Sequence, residues 1–313
     1  MSAADAPAGE LMSGELTLTG RITTASNATF QGRIGDTVVV YKPVAGEAPL
    51  WDFPAGTLAR REVAAHLVSE ALGWDIVPRT WLRDGPFGEG MVQLWQEQDP
   101  EQDAVDLFPA DQVPASGWLT ILEGEDEDGN RLVLAHEDSA ALRRMAVFDV
   151  IVNNADRKGA HILAMPGGHR YGVDHGLTFH VEDKLRTVLW GWLGEALSEE
   201  ERDGVARVLD GLDGELGQGL AELLEAEAGV GLEMGWSAWG LQGSPKASLW
   251  VFRGHRPCSR RLGVLAAGPV LQLLGSRGRS QRLRHPHPAG TGTARGWDSV
   301  SPGPRRLGTT SRD

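Results

Sequence analysis

Lysine is scarce in the first 230 residues, where Lys42, Lys158 and Lys184 stand against fourteen arginines. Lys42 ends the apolar run Val38-Val39-Val40-Tyr41 and is stopped by Pro43. An ammonium there is either an edge charge reaching for water or a point charge held against an anion. Glu62 is available as that anion. A second group is Asn153-Asn154-Ala155-Asp156-Arg157-Lys158-Gly159-Ala160-His161, which puts Asp, Arg and Lys in consecutive positions and His161 five beyond the Asp. Packing does not require this; the plainer alternative is an exposed connection with incidental charges. The third group is Val173-Asp174-His175-Gly176. An Asp there can present its carboxylate to a hard cation in a cleft, or accept backbone N–H bonds within a turn. Each feature alone says little. The ordered set is far more specific: Lys on an early strand, Glu on the next helix, an Asp-bearing loop, then Asp-x-Gly one hairpin later.

The elements that must position these residues follow from periodicity and turn chemistry. Leu16 and Leu18, Thr29-Phe30, and Thr37 to Lys42 predict three strands, joined by turns at Thr24 to Asn27 and at Gly35-Asp36. Thr57 reads as the N-cap of a helix carrying Leu58, Val63, Leu67 and Leu72 and closed by Gly73. Ile76 to Leu82 and Gly90 to Trp95 predict two further strands around an Asp84-Gly85-Pro86 turn. Gln96 to Pro114 reads as an acidic, proline-punctuated stretch, and Glu123 to Gly129 as a solvated turn. A helix is expected from about Asp138 to Val152. The strands His161 to Met165 and Arg170 to Val173 predict a hairpin around Pro166-Gly167-Gly168. Glu199 to Glu227 reads as helical, with its glycines making it marginal. The order is that of an α+β protein of two lobes, the N-lobe over about 15–95 and the C-lobe over about 96–230, after a flexible segment 1–14.

Charge divides the chain. Of 30 Lys and Arg and 43 Asp and Glu, residues 231–313 carry 13 basic and three acidic, leaving the body at −23. This basic tail, rich in Arg, Gly, Ser and Pro, is expected to be disordered. It lacks any amphipathic period or interleaving of aromatic and basic residues, which favours an out-of-frame segment over a functional basic arm. One cysteine, Cys258, excludes an internal disulfide framework and a Cys-rich zinc site. The residues Met1 to Glu10 do not resemble a signal peptide, and Leu262 to Gly275 is too short and interrupted to span a bilayer. A cytoplasmic location is expected, with no membrane span. Nucleic acid is not an expected partner of so acidic a body.

The ordered set resembles the phosphatidylinositol 3-/4-kinase-like superfamily, and within it an uncharacterised actinobacterial group. Asp156-Arg157-Lys158-Gly159-Ala160-His161 is similar to that group's D-R-x-x-x-N loop except at the last position, and Asp174-His175-Gly176 to its Asp-Phe-Gly metal motif. The resemblance covers roughly Leu16 to Val230. It implies a two-lobed protein-kinase-like fold and an ATP-dependent phosphotransferase using Mg²⁺ or Mn²⁺. The first hairpin, with Thr24, Ser26 and Asn27 at its tip, would cover the phosphates. Lys42, held by Glu62, would contact them, and the Gln93 to Gln96 segment, including Trp95, would meet the adenine. Asp156 would orient or deprotonate the acceptor hydroxyl, Lys158 would touch the γ-phosphate, and Asp174 would hold the metal. His161 stands where the group has a second-metal Asn, and imidazole nitrogen suits Mg²⁺ less well than Mn²⁺ or Zn²⁺.

A body at −23 would repel a phosphoinositide head group, so a protein or small-molecule hydroxyl is the favoured acceptor. A nucleotide-binding pseudokinase without turnover is the alternative, motivated by His161. A metal-dependent hydrolase using His161, Asp174, His175 and His180 is a third reading. The acceptor and the oligomeric state are not legible.

Overall fold

A computed structural model describes residues 8–23 and 25–224 of the chain. The basic tail, Thr24 at the hairpin tip and the end of the Glu-rich stretch lie outside the described residues. Of the 14 residues expected to be flexible, Ala8–Ser13 form helix α1, because Leu11 is buried in the core of the first lobe.

The N-lobe is an antiparallel sheet of β1 (Leu16–Arg21), β2 (Phe30–Ile34), β3 (Thr37–Pro43), β4 (Thr80–Gly85) and β5 (Gly88–Leu94), in the order β1-β2-β3-β5-β4. β4 starts later than the predicted strand at Ile76. Pro78 interrupts the run, and the N–H groups of Ile76 and Val77 donate to the Ser69 hydroxyl at 2.8 and 3.0 Å instead of to a ladder.

Helix α2 (Leu58–Leu72) is closed by Gly73 in the left-handed conformation that glycine adopts without strain (φ 68°). Its N-terminus is capped differently from expectation. Thr57 turns its hydroxyl to the Pro54 carbonyl, and the Glu47 carboxylate accepts from the N–H groups of Leu58 and Ala59 at 3.2 and 2.9 Å. A remote carboxylate thus satisfies the first orphan donors and complements the helix dipole. Apolar residues surround α2 rather than lining one stripe. Ala59 and Val63 meet Met91 of the sheet, while Ala64, Ala65, Val68 and Leu72 enter the core of the second lobe. A helix buried on most of its circumference is a rigid shared wall.

The second lobe holds α3 (Ala140–Ile151), capped by the Ser139 hydroxyl, then the hairpin of β9 (Ile162–Ala164) and β10 (Arg170–Gly172), and finally α4 (Glu199–Gly211) and α5 (Glu215–Leu224). Ser198 and Glu201 form a capping box at α4. The Glu-rich stretch is therefore two helices broken near Gly211, and one of its glycines has a packing role. A Cβ at Gly204 would stand 2.4 Å from the Trp74 ring.

The second lobe also holds a sheet that the sequence reading missed: β6 (Val105–Pro109), β7 (Trp118–Glu125) and β8 (Arg131–Glu137), ordered β6-β8-β7. The acidic stretch contributes β6, and the expected solvated turn is divided: Glu123 to Glu125 end β7, and Asp126 to Gly129 lie in the β7–β8 hairpin loop. Coverage is partial: Ile121, Val133 and Ala135 are buried, His136 on the other face packs under Trp192, and Leu107 is exposed. Asp106 and Glu123 stand opposite Ala135 and Val133, and these charges masked the alternation. Among the described residues no helix is long and apolar enough to cross a membrane.

Glu47→Ala should destabilise the protein by about 1 kcal/mol, the usual cost of losing a helix cap, measured as a lower urea midpoint with an unchanged m-value.

Candidate functional site

The period-two alternation of β3 sends Val39 and Tyr41 into the N-lobe core, and so puts Val40 and Lys42 on the other face. β5 pairs with β3 in the register Val40↔Gln93 and Lys42↔Met91, adding Gln93 and Met91 to that face. α2 packs against it and delivers Glu62. The Lys42 ammonium donates to Glu62 Oε1 and to Asp174 Oδ1, at 2.7 Å in each case. Glu62 Oε2 accepts the backbone N–H of His175 at 2.8 Å. One buried carboxylate therefore ties the lysine to the segment that carries Asp174. Burial works to depress the Lys42 ammonium, but Glu62 and Asp174 outweigh it and hold its pKa well above the ordinary value.

Asp174 takes a left-handed backbone conformation (φ 64°), which is strained for a residue with a side chain. Its Oδ2 lies 3.4 Å from His161 Nε2. The Lys42 charge dominates the Asp174 carboxyl and draws its pKa below the usual range against the opposing effect of burial. Burial depresses the His161 imidazole, against the pull of Asp174.

These groups border a cavity of about 480 Å³. Ile22 and Val40 from the N-lobe and Leu163 and Val173 from the C-lobe give it apolar walls, and residues 93–98 run along it where the chain passes between lobes. Lys42, Glu97 and Asp174 are its charged lining, with the His161 imidazole beside Asp174. Gln93 lines it too, with its amide donating to the Thr80 hydroxyl at 2.8 Å, and the Trp95 indole donates to Glu97 at 3.2 Å. Ser26 and Asn27 do not line the cavity, although their neighbours Ala25 and Thr29 do. The Asn27 side-chain carbonyl instead accepts the Ala48 N–H at 2.8 Å, fastening the hairpin to the loop after β3. Asp156 and Lys158 also stand outside the lining. The two Asp156 oxygens are taken separately, Oδ2 by Lys158 at 2.7 Å and Oδ1 by a very short ion pair with Arg186.

Behind the cavity lies a network that sequence reasoning missed. Arg157 and Asp149 are both wholly inaccessible to water. Arg157 Nη2 and Nε donate to Asp149 at 2.8 and 3.1 Å, and Asn154 Nδ2 and the Thr187 hydroxyl complete that carboxylate at 2.9 and 3.0 Å. The rest of the guanidinium donates to the carbonyls of His161 and Val173 and to His175 Nε2. One side chain thereby fixes both segments that carry the cavity's His and Asp. Asn153 donates to the His180 and Glu182 carbonyls, holding residues 180–186 beside the Asp156 loop. One signal was available: Asp149 interrupts the apolar run Met145 to Ile151 of α3, and a carboxylate there needs a buried partner.

His175 and His180 are not placed as metal ligands. His175 is buried behind Arg157, and His180 Nε2 lies 2.8 Å from the Asp52 carbonyl. Among the described residues no group of three or more His, Cys, Asp or Glu converges, which removes the support for a hydrolase held together by resident metals. One open carboxylate oxygen with an adjacent imidazole does fit a single divalent cation whose other ligands arrive with a substrate and water.

A sheet whose lysine is tied to the following helix, a connecting segment along an interlobe cavity, and an Asp-loop followed one hairpin later by Asp-x-Gly define a two-lobed α+β fold. No family model matches the chain. It is 53% identical over 234 residues to Protein Rv2133c of Mycobacterium tuberculosis (strain ATCC 25618 / H37Rv), an alignment covering 70% of this chain and 84% of that protein. The chain belongs to the same family as Protein Rv2133c. Among solved structures, the Helicobacter pylori proinflammatory kinase CtkA is similar with a TM-score of 0.40 at 10% identity, over 81% of this chain and 97% of that one.

Arg157→Met strips a buried carboxylate of its partner and should cost about 3–5 kcal/mol, read by chemical denaturation. A second expectation concerns acid. Burial, reinforced by Arg157, holds His175 neutral well below its ordinary pKa, and burial depresses His66, His136 and His161 as well. Below about pH 6.5 the unfolded chain binds protons that the native state refuses. Stability should therefore be full above that pH and fall on acidification. His175→Gln should make the slope shallower by up to about 1.4 kcal/mol per pH unit, and an unchanged slope would mean that His175 is protonated in the native protein.

Proposed function

We propose that the chain is an ATP-dependent phosphotransferase of the phosphatidylinositol 3-/4-kinase-like type, acting on a hydroxyl of a protein or small molecule. The observation that carries this reading is the Lys42 ammonium, held 2.7 Å from both Glu62 and Asp174 on the wall of an interlobe cavity. Structural stability does not call for a charged triplet at a cavity mouth. Binding a polyphosphate does, because phosphoryl transfer depends chiefly on positioning and on neutralising charge.

The cavity is of a size that takes a nucleotide. Its apolar walls suit a purine ring, with residues 93–98 along its edge. Lys42 would bind the α- and β-phosphates, keeping Glu62 as its support. Asp174 would hold Mg²⁺ or Mn²⁺, and the cation would draw charge from the β- and γ-phosphate oxygens. Asp156 would accept the proton of the attacking hydroxyl as the γ-phosphorus forms its bond to the acceptor oxygen and the bond to the β,γ-bridging oxygen breaks, with ADP leaving. Lys158 and Arg186, on either side of the Asp156 carboxylate, orient it. The acidic body disfavours an anionic lipid head group as acceptor.

Nucleotide binding without turnover has one observation in its favour: both Asp156 oxygens are already engaged by cations. One variant separates the readings. Lys42→Met and Asp174→Asn should abolish the rise in melting temperature on adding ATP with Mg²⁺ or Mn²⁺. Asp156→Asn should keep that rise and lose about 10²–10⁴-fold in phosphate transfer. If wild type binds ATP but neither wild type nor Asp156→Asn transfers phosphate to any acceptor or to water, the pseudokinase reading replaces this one.

A further inference from the structure

We propose that the loop after β3 and the segment after Asp174 form a docking surface, centred on Trp51 and Val181, for a basic polypeptide that carries the acceptor hydroxyl. The inference rests on the phosphotransferase reading for the role of Asp156, and on the packing alone for the surface.

Seven large apolar side chains are exposed among the described residues, and three of them gather here: Leu50 at 38%, Trp51 at 91% and Val181 at 60%. Between Trp51 and Val181 the two segments touch. His180 Nε2 donates to the Asp52 carbonyl at 2.8 Å, His180 Nδ1 accepts the Glu182 N–H at 3.0 Å, and the Phe53 ring meets the imidazole edge-on at 5.0 Å. The Lys184 ammonium binds Asp52 at 3.0 Å and stands 4.8 Å from the centre of the Trp51 ring. Asn153 clamps the same segment, donating to the His180 and Glu182 carbonyls and accepting the Lys184 N–H at 3.1 Å. The backbone is therefore fixed on both sides, while the largest apolar side chain on it gives almost nothing to the fold. A rigid, exposed tryptophan flanked by aliphatic residues is how a binding hot spot is built before its partner arrives.

Position identifies the occupant as a polymer. The clamped segment continues to Arg186, whose N–H donates to the Asn154 carbonyl and whose guanidinium pairs with Asp156. Lys184, against Trp51, stands two residues earlier, about 7 Å along an extended chain. A small acceptor reacting at Asp156 would not reach the indole. An extended polypeptide anchored on Trp51 would place a Ser or Thr at Asp156 about two or three residues away.

Charge identifies the polymer as basic. Lys158, Lys184 and Arg186 are each matched to a carboxylate. The Glu182 carboxylate is 75% exposed, 3.5 Å from Lys184, and the body as a whole carries −23. An arginine fits both features, stacking its planar guanidinium on the open part of the indole and pairing with Glu182.

The test uses the full chain and two labelled synthetic copolymers, one of Arg and Ser and one of Glu and Ser. By fluorescence anisotropy the Arg–Ser copolymer should bind wild type and the Glu–Ser copolymer should not. Trp51→Ala should weaken that binding about tenfold or more, Trp51→Phe should keep most of it, and Glu182→Lys should weaken it as well. With ATP and Mg²⁺, Trp51→Ala should raise the KM for the Arg–Ser copolymer by a similar factor, leaving kcat and the ATP-induced rise in melting temperature unchanged. Equal binding by wild type and Trp51→Ala, preference for the Glu–Ser copolymer, or no binding of either overturns the inference; the nucleotide reading stands if ATP still raises the melting temperature. Self-association of wild type that is lost in Trp51→Ala, without copolymer binding, assigns the surface to a second copy of the chain and also overturns it. So does phosphate found only on the chain's own Arg- and Ser-rich tail. Binding that Trp51→Ala abolishes, in a chain whose melting temperature ATP does not move, supports the surface and overturns the phosphotransferase reading.

Discussion

A lysine ammonium with only a fifth of its side chain exposed must meet anions or give up its proton. Lys42 meets two. Glu62 comes from a helix buried against both lobes, and Asp174 from a strained residue just after a two-stranded hairpin. The two carboxylates differ in setting: Glu62 is 2% exposed, while Asp174 is 53% exposed and opens to the cavity. The inner carboxylate is structural support for the lysine. Much of the rest of the fold serves to keep both carboxylates within 3 Å of the ammonium.

α2 does this for Glu62. Because its surface is divided between the sheet on one side and the second lobe on the other, moving it would expose apolar residues on both faces. The Glu47 carboxylate pins its first turn and Ser69 secures the chain beyond its last. The geometry of the lysine is therefore set by the packing around α2.

Arg157 performs the matching task in the second lobe. A wholly buried guanidinium is tolerable only when its donors are satisfied, and here they reach Asp149, two backbone carbonyls and a neutral histidine. Since those carbonyls belong to His161 and Val173, the loop before β9 and the segment after β10 are locked in one frame. The same packing keeps His175 uncharged next to an arginine, so the molecule's acid sensitivity and its site geometry share an origin.

Local sequence determined the strands of the N-lobe, the helix closed by Gly73, the β9–β10 hairpin and the order of Lys42, Glu62, Asp156 and Asp174, because period and turn chemistry act between near neighbours. The pairing of Lys42 with Glu62 was legible, since a lone lysine after an apolar strand needs an anion. Tertiary structure alone decided that Asp174 joins that pair and that His161 faces Asp174. It also turned Asn27 away to fasten a loop, let Glu47 displace Thr57 as the cap, and paired β6 and β7 with β8. Each of these depends on groups that the chain brings together only on folding. Burial, which converts a charge into an obligation to find a partner, is a property of the packed molecule and of no residue by itself.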